Sequence, residues 1–231
     1  MVKVAVVLSG CGYLDGAEIH ESVLTAYFLE REGAEVCYVA PDIDQMHVVN
    51  HQTGEVAEGE SRNVLVESAR ISRGSVISAE EFDVSQVDAV VLPGGFGAAK
   101  NLSSFATEGA ECTVDGNVEN MLRTAHAAGQ PIGAVCIAPA LVGRVLGKGH
   151  PSLTVGNDSG TVEALETLGA RHVDHGVEEI EVDRDQRIVS TPAYMLGPGI
   201  TDVARGIEAL CKEVVAMVGQ IQPVEPDSVE G

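Results

Sequence analysis

A cysteine lies where a predicted strand gives way to a predicted helix, and this position is typical of a nucleophile. The run 131–135 is apolar and follows Gly129, and helical spacing begins at Ala138, so Cys136 falls at the junction. A side chain on such a turn projects above the sheet, near the free N–H groups at the helix start. Those groups favour a thiolate, the reactive form of cysteine. Cys136 is therefore the candidate nucleophile, and a cysteine merely packed in the core is the alternative that its position alone leaves open.

A glycine pair follows another predicted strand. Residues 87–92 are strand-like and lead into Pro93, Gly94 and Gly95. Ligands bind at the carboxyl ends of parallel strands, and paired glycines let a substrate approach backbone N–H groups closely. The segment is a candidate oxyanion site, with a tight turn that has no chemical role as the alternative.

The elements around these segments alternate between strand and helix. Val-rich residues 2–8 predict a buried parallel strand, residues 18–29 a helix, and residues 35–40 a second strand. In the helix, apolar residues recur at helical spacing, namely Ile19, Val23, Ala26 and Tyr27. Further helices are predicted at 117–128, 161–168 and 199–218, and further strands at 153–156 and, as a pair, within 172–190. This order predicts an α/β fold with a mainly parallel sheet.

Length and composition favour one domain. The chain has 231 residues, of which 45% are hydrophobic, and this is enough to bury a sizeable core. We expect a single domain over residues 1–221 and a loose acidic tail over 222–231. Residues 41–86 show little periodicity, so we expect them to form a covering insertion that contains a hairpin or a short helix.

Charge and cysteine content exclude several kinds of partner. The formal net charge is -21, which repels nucleic acid and anionic membrane surfaces, so we expect neither as a partner. The five cysteines are widely spaced and include no CxxC pair, which favours free thiols in a reducing cytoplasm. The first nine residues are too short for a signal peptide, and nothing approaches 18 consecutive apolar residues. We therefore expect a cytoplasmic location.

Neither a cofactor nor a metal is predicted. The glycines at Gly10 and Gly12 follow a strand, but the third falls at Gly16, one position too late for a dinucleotide fingerprint. His47 and His51 are four residues apart, yet no third ligand has suitable spacing.

Several motifs together resemble the PfpI/ThiJ superfamily, which has a class I glutamine amidotransferase-like fold. They are Glu21 on the first helix, the run 91–95 (VLPGG) and the run 134–139 (AVCIAP). Other segments resemble the ElbB subfamily of enhancing lycopene biosynthesis proteins, namely 8–12, 15–21, 61–65, 101–103 and 191–195. The resemblance extends from the first strand to the last helix.

This resemblance implies a flavodoxin-like, three-layer sandwich that forms a homodimer. It also implies Cys136 as the nucleophile and Glu21 as its hydrogen-bonded carboxylic acid. Gly94, Gly95 and Ile137 would supply backbone N–H groups to the oxyanion or substrate.

The ElbB-type resemblance implies a weak, glutathione-independent glyoxalase. A small aldehyde, glyoxal or methylglyoxal, would form a hemithioacetal with Cys136, and Glu21 would assist proton transfer towards the hydroxy acid. A link to isoprenoid biosynthesis is part of the same resemblance. The alternative function is a redox-sensing or regulatory protein, without enzymatic activity, in which a low-pKa Cys136 is oxidised.

One position departs from the superfamily pattern. Many relatives have histidine directly after the nucleophile, whereas this chain has Ile137, so protease and glutamine amidotransferase activities are not expected. Secondary site candidates that could approach from elsewhere in the chain are Glu18, His20, His51 and His126.

The protonation state of Glu21 follows from its expected surroundings. Its neighbours on the helix include the apolar residues Val23, Leu24 and Tyr27, so we expect desolvation to keep Glu21 protonated. A protonated Glu21 would donate a hydrogen bond to the sulfur and stabilise the thiolate.

Overall fold

The structure, a computed structural model, describes residues 1–220 and contains nine strands in that part of the chain. They are β1 (Lys3–Val7), β2 (Glu35–Ala40), β3 (Val76–Ser78), β4 (Ala89–Leu92), β5 (Ile132–Val135), β6 (Ser152–Leu153), β7 (Arg171–His172), β8 (Glu181–Asp183) and β9 (Ile188–Thr191). Seven form one sheet in the order β3-β2-β1-β4-β5-β9-β8. Every neighbouring pair in it is parallel except β8 with β9. The strands β6 and β7 pair separately, in parallel.

Helices cover both faces of this sheet. The helices are α1 (Ile19–Arg31), α2 (Val64–Ile71), α3 (Phe96–Lys100), α4 (Phe105–Glu108), α5 (Gly116–Ala127), α6 (Ala138–Leu146), α7 (Ser159–Thr167) and α8 (Ile200–Val218). Side chains of α1, α2 and α8 form one hydrophobic core with the sheet, and those of α5, α6 and α7 form the other. The predicted flavodoxin-like, three-layer sandwich with a mainly parallel sheet is confirmed.

The central strands supply both cores because successive side chains of a strand point to opposite faces. In β1, Val4 and Val6 pack in the core with α1 and α8, whereas Ala5 and Val7 pack in the other core. All four side chains are buried, as continuous apolar runs predict for parallel strands covered on both sides.

The first helix forms where predicted, but its buried face differs from the apolar stripe in the sequence. Ile19, Val23 and Tyr27 are 44%, 50% and 53% exposed. The buried positions include Glu21 and Thr25 instead. Helical spacing identified the helix correctly, but the contacts of the helix with α8 and the sheet decided which side is buried.

Residues 41–86 contain more of the main fold than a covering insertion would. The segment does hold a short helix, α2, as predicted, and isolated bridges join Asp44 to Asn63 and Val49 to Val56. However, its strand β3 pairs with β2 and is an edge of the central sheet. Only residues 41–63, between β2 and α2, are therefore additional to the three-layer sandwich. The predicted tail, 222–231, lies outside the described residues.

The later elements follow the predicted order with shorter strands. The predicted strand pair within 172–190 is the antiparallel pair of β8 and β9. The strand predicted at 153–156 is limited to the two residues of β6. None of the helices described for residues 1–220 has the length and apolar character that crossing a bilayer requires.

Candidate active site

Cys136 lies directly between the end of β5 and the start of α6. Its φ of 63° is in the left-handed region, which is uncommon for a residue other than glycine and marks a sharp turn. Its N–H group donates to the carbonyl of Thr191 at 2.9 Å, which ties the turn to the end of β9. Cys136 as a whole is 8% exposed, and it lines a surface cleft. The strand, the turn and the helix thus hold this sulfur at the carboxyl edge of the sheet.

Glu21 is fully buried in the first turns of α1. Its Oε2 accepts the N–H of Gly94 at 2.9 Å, and its Oε1 accepts the N–H of Tyr194 at 3.2 Å. Glu18 caps this helix, because its Oε2 accepts the Glu21 N–H at 2.7 Å. Gly94 and Tyr194 therefore hold the Glu21 carboxyl group, while Glu18 holds the Glu21 backbone at the start of α1.

Gly94 brings the carboxyl and the sulfur together. A Cβ atom at this position would lie 2.7 Å from Glu21 Oε2, 3.0 Å from Cys136 Sγ and 2.5 Å from Cys136 Cβ. Any side chain at Gly94 would therefore displace one or both groups. The Gly94 N–H is also taken by Glu21, so it is not free for the oxyanion role expected from the sequence. The N–H groups that reach the sulfur are those of Gly95 and Ile137.

The pKa of Glu21 is raised to about 8. Burial is the main cause, because desolvation penalises the charged carboxylate, and the neighbouring Glu18 adds to it. The hydrogen bonds from Tyr194, Cys136 and Gly94 act in the opposite direction. Glu21 is therefore mainly protonated at neutral pH, as expected from the sequence. The expected reason was wrong, since Val23 and Tyr27 point outward and do not bury it.

Burial also raises the pKa of Cys136 well above its ordinary value, and an ionised Glu21 raises it further. The N–H groups of Gly95 and Ile137 lower the pKa, but by less. Burial therefore contradicts the expected low pKa of Cys136, because desolvation outweighs the two donors. While Glu21 is protonated it carries no charge, so it then makes no charge contribution to the pKa of Cys136.

A cleft of about 850 Å³ opens above the sulfur. Its lining combines aromatic, aliphatic and acidic side chains: Tyr13, Glu18, His20, Gly95, Phe96, Ala99, Phe105, Ala106, Cys136, Ile137, Asp158, Thr161, Tyr194 and Met195. Loops and helix starts that follow β1, β4, β5 and β9 contribute most of it, as expected at the carboxyl edge of a parallel sheet. A substrate in this cleft would have direct access to Cys136.

Two of the four secondary candidates line the cleft, namely Glu18 and His20. The Nδ1 atom of His20 lies 2.8 Å from the hydroxyl of Tyr194, and Glu18 Oε1 is 3.9 Å from the same nitrogen. Tyr194 was not among the predicted site residues, although it contributes both an N–H to Glu21 and a hydroxyl to His20. The signal that was available is its place just after β9, at the same edge of the sheet as Cys136.

The other two histidines are bound elsewhere. His51 Nε2 accepts the N–H of Leu14 at 3.3 Å, and its Nδ1 is 3.0 Å from the carbonyl of Val49. His51 is not part of the cleft lining, although its ring packs edge-on against Tyr13, which is. His126 Nε2 is 3.0 Å from Gln186 Oε1, at the opposite edge of the sheet. The hydrogen bonds of residues 1–220 include none from a histidine to the Cys136 sulfur.

Metal-binding geometry is absent from the described part of the chain. No group of three or more His, Cys, Asp or Glu side chains in residues 1–220 is arranged to hold a metal ion. His47 and His51, the pair considered from the sequence, belong to no such group.

The sandwich, the strained cysteine at the end of a central strand and the glutamate beside it define a class I glutamine amidotransferase-like protein. The sequence pattern of the DJ-1/PfpI family matches residues 3–192, and the chain belongs to that family. The resemblance drawn from the motifs is therefore confirmed.

Relatives agree with this assignment. The human protein "Glutamine amidotransferase-like class 1 domain-containing protein 3, mitochondrial" is 46% identical over 227 residues, covering 94% of this chain and 84% of the relative. A crystal structure from Ehrlichia chaffeensis, titled an isoprenoid biosynthesis protein with amidotransferase-like domain, is 37% identical, with a TM-score of 0.88, covering 94% of this chain and all of that one. Glyoxalase III from Candida albicans shares the fold alone, at 14% identity and a TM-score of 0.59, with 94% and 97% covered.

Proposed function

We propose that this chain is a weak, glutathione-independent glyoxalase that converts glyoxal or methylglyoxal to the hydroxy acid. The observation that carries the proposal is the pairing of a cleft-lining Cys136 with a fully buried Glu21 beside it. A thiol supplies the nucleophile and a carboxyl group supplies the proton shuttle that an aldehyde-to-acid isomerisation needs.

In the proposed reaction, Cys136 Sγ adds to one aldehyde carbon of glyoxal and forms a C–S bond. The ionised minority of Glu21 takes the thiol proton and passes it to the aldehyde oxygen, which gives a hemithioacetal and leaves Glu21 ionised again. Glu21 then takes the proton from the carbon that bears sulfur, and the hydroxyl proton of the hemithioacetal moves to the adjacent carbonyl oxygen, which gives an enediol-type intermediate. Glu21 returns its proton to the adjacent carbon, and the first carbon becomes the carbonyl of a hydroxyacyl thioester. Water hydrolyses the thioester, which breaks the C–S bond, restores the thiol and releases glycolate. The net change is addition of one water to glyoxal, without an external oxidant or reductant.

The pKa of Glu21 suits this role. A group that must both accept and return a proton works best when its pKa is near the working pH, and burial raises the pKa of Glu21 to about 8. The high pKa of Cys136 means that little thiolate is present before substrate binds. This supports slow turnover.

Amide hydrolysis has less support. A protease or glutamine amidotransferase of the cysteine type uses a histidine to take the thiol proton. Ile137 occupies the position after the nucleophile, and none of the histidine hydrogen bonds in residues 1–220 reaches the Cys136 sulfur. A carboxyl group beside the sulfur is the only proton acceptor among the described contacts of Cys136.

A redox or regulatory role is the second candidate, because the same cysteine is accessible from a cleft and lies beside a carboxyl group. Its support is weaker, since oxidation proceeds through the thiolate and burial raises the pKa of Cys136. The proposal also includes a homodimer in the cytoplasm and a link to isoprenoid biosynthesis. The human relative is named as a mitochondrial protein and the Ehrlichia protein as an isoprenoid biosynthesis protein. Cell fractionation should therefore test the compartment, and the isoprenoid link should be tested separately.

Steady-state turnover of glyoxal and methylglyoxal tests the proposal. Glycolate or lactate formation should be measured with the wild type, Cys136→Ser and Glu21→Gln, without added glutathione. We expect both variants to lose turnover, whereas Cys211→Ser, at a buried thiol outside the cleft, is the matched control. Equal background rates in wild type and Cys136→Ser would reject the glyoxalase and leave the redox role.

A further inference from the structure

The cleft above Cys136 is much larger than glyoxal requires. It encloses about 850 Å³, within the range of sites that hold drug-sized ligands. Glyoxal consists of two joined aldehyde groups and would fill a small part of that space. The remaining volume is available to another part of a substrate.

Apolar side chains line much of that remaining volume. Phe105, Ile137 and Met195 belong to the lining, together with two aromatic side chains that are about half exposed. These rings are Tyr13, 48% exposed, and Phe96, 49% exposed. Exposed aromatic side chains grouped around one cleft are characteristic of a binding groove for an apolar ligand.

The charges around the cleft are unfavourable to anions. Glu18 and Asp158 line it, and two hydrogen bonds from Thr161 lower the pKa of Asp158, which is therefore ionised at neutral pH. The lining described for this cleft includes no lysine or arginine. Lys100 lies close by, but its Nζ donates to the Leu14 carbonyl at 3.0 Å and is 5.1 Å from the centre of the Phe96 ring.

We infer that the preferred substrate is an uncharged carbonyl compound with an apolar arm, such as an aryl or alkyl 2-oxoaldehyde. This inference rests on the proposed glyoxalase function. The reactive carbonyl lies at Cys136, and the arm lies against Phe96 and Phe105. Phosphorylated and carboxylated carbonyl compounds, and adducts of glutathione, are disfavoured because no free cation in the described lining offsets their charge.

Alkylation of Cys136 tests the selectivity of the cleft without requiring turnover. Iodoacetamide, its anionic counterpart iodoacetate and the apolar N-benzyl iodoacetamide are compared at neutral pH by peptide mass spectrometry. Each rate is divided by that of 2-mercaptoethanol, an uncharged thiol. We expect iodoacetate to be about tenfold slower than iodoacetamide and the benzyl reagent about fivefold faster. Equal normalised rates for the three reagents would overturn the inference.

A charge introduced at Ala106 provides a matched pair of variants. Ala106 is exposed and lines the cleft, so a longer side chain is accommodated there without disturbing the core. Ala106→Lys should raise the normalised iodoacetate rate about fivefold, because it supplies the missing cation. Ala106→Gln, similar in length but neutral, should retain the discrimination against iodoacetate. An unchanged rate in Ala106→Lys would show that charge does not govern access.

Turnover separates failure of this inference from failure of the proposed function. The value of kcat/KM for glyoxal, methylglyoxal and phenylglyoxal is measured after subtraction of the Cys136→Ser background. We expect it to rise about tenfold from methylglyoxal to phenylglyoxal. Selective alkylation without turnover of any of the three would reject the glyoxalase while keeping the binding preference. Turnover that does not increase with the apolar arm would reject the preference and keep the glyoxalase.

Discussion

Replacing Glu21 with glutamine should change how the stability of the fold depends on pH. Burial raises the pKa of Glu21 to about 8 in the folded state, from an ordinary value of 4.5. Between these two pH values the folded chain retains a proton that the unfolded chain has released. Stability from this group is therefore fully present below pH 4.5 and is lost as pH rises towards 8. Glutamine has no proton to release, so the variant lacks this loss.

The size of the effect follows from the difference in pKa. Each pH unit in that window reduces the stability of the wild type, relative to the variant, by about 1.4 kcal/mol. The accumulated difference is about 3 kcal/mol at neutral pH and about 5 kcal/mol above the folded-state pKa. Glutamine also loses one acceptor for the N–H groups of Gly94 and Tyr194, but this cost does not vary with pH.

The free energies of unfolding of the wild type and of Glu21→Gln are measured by urea unfolding, followed by circular dichroism, at intervals between about pH 5 and about pH 8. Glu30→Gln is the control, because Glu30 is an exposed carboxyl on the same helix and its replacement reports the effect of losing one surface charge. The free energies of unfolding of the wild type and of Glu21→Gln should diverge as pH rises, with the variant becoming relatively more stable. Parallel curves would refute the argument, since they would mean that Glu21 has the same pKa in the folded and unfolded chain.

Three further predictions concern the site and its surroundings. Gly94→Ala should lower the free energy of unfolding by about 1–3 kcal/mol and slow the alkylation of Cys136, because its Cβ would overlap both Cys136 and Glu21. Urea unfolding measures the first effect and peptide mass spectrometry the second, and an unchanged alkylation rate would contradict the prediction. The chain should sediment as a dimer, and monomers of the wild type would reject that proposal. Tyr27→Glu should weaken the dimer, because Ile19, Val23 and Tyr27 form an exposed apolar surface on α1 that suits the contact between copies. Glyoxalase activity should survive treatment with a chelator, whereas a loss restored by zinc would point to a metal.

Much of the fold is set by patterns that are local in the sequence. The strands β1, β4 and β5 are buried on both faces, so their sequences are continuous apolar runs without alternating polar residues. Such runs are typical of parallel strands. The position of Cys136 is also a local feature, because the residues directly before it form a strand and those directly after it form a helix. The absence of histidine after Cys136 is likewise visible in the sequence alone, as are the motifs that resemble the family.

The protonation of the site was decided by the tertiary structure. The groups that hold the Glu21 carboxyl, Gly94 and Tyr194, are 73 and 173 residues away along the chain. Helical spacing identified α1 but gave the wrong buried side, since Val23 and Tyr27 are exposed while Glu21 is enclosed. Desolvation depends on every atom that surrounds a group, and here those atoms come from distant segments. The sequence therefore identified the candidate pair, Cys136 and Glu21, and the expected protonation of Glu21. Only the packed structure showed which groups bury Glu21 and that burial raises the pKa of Cys136 as well.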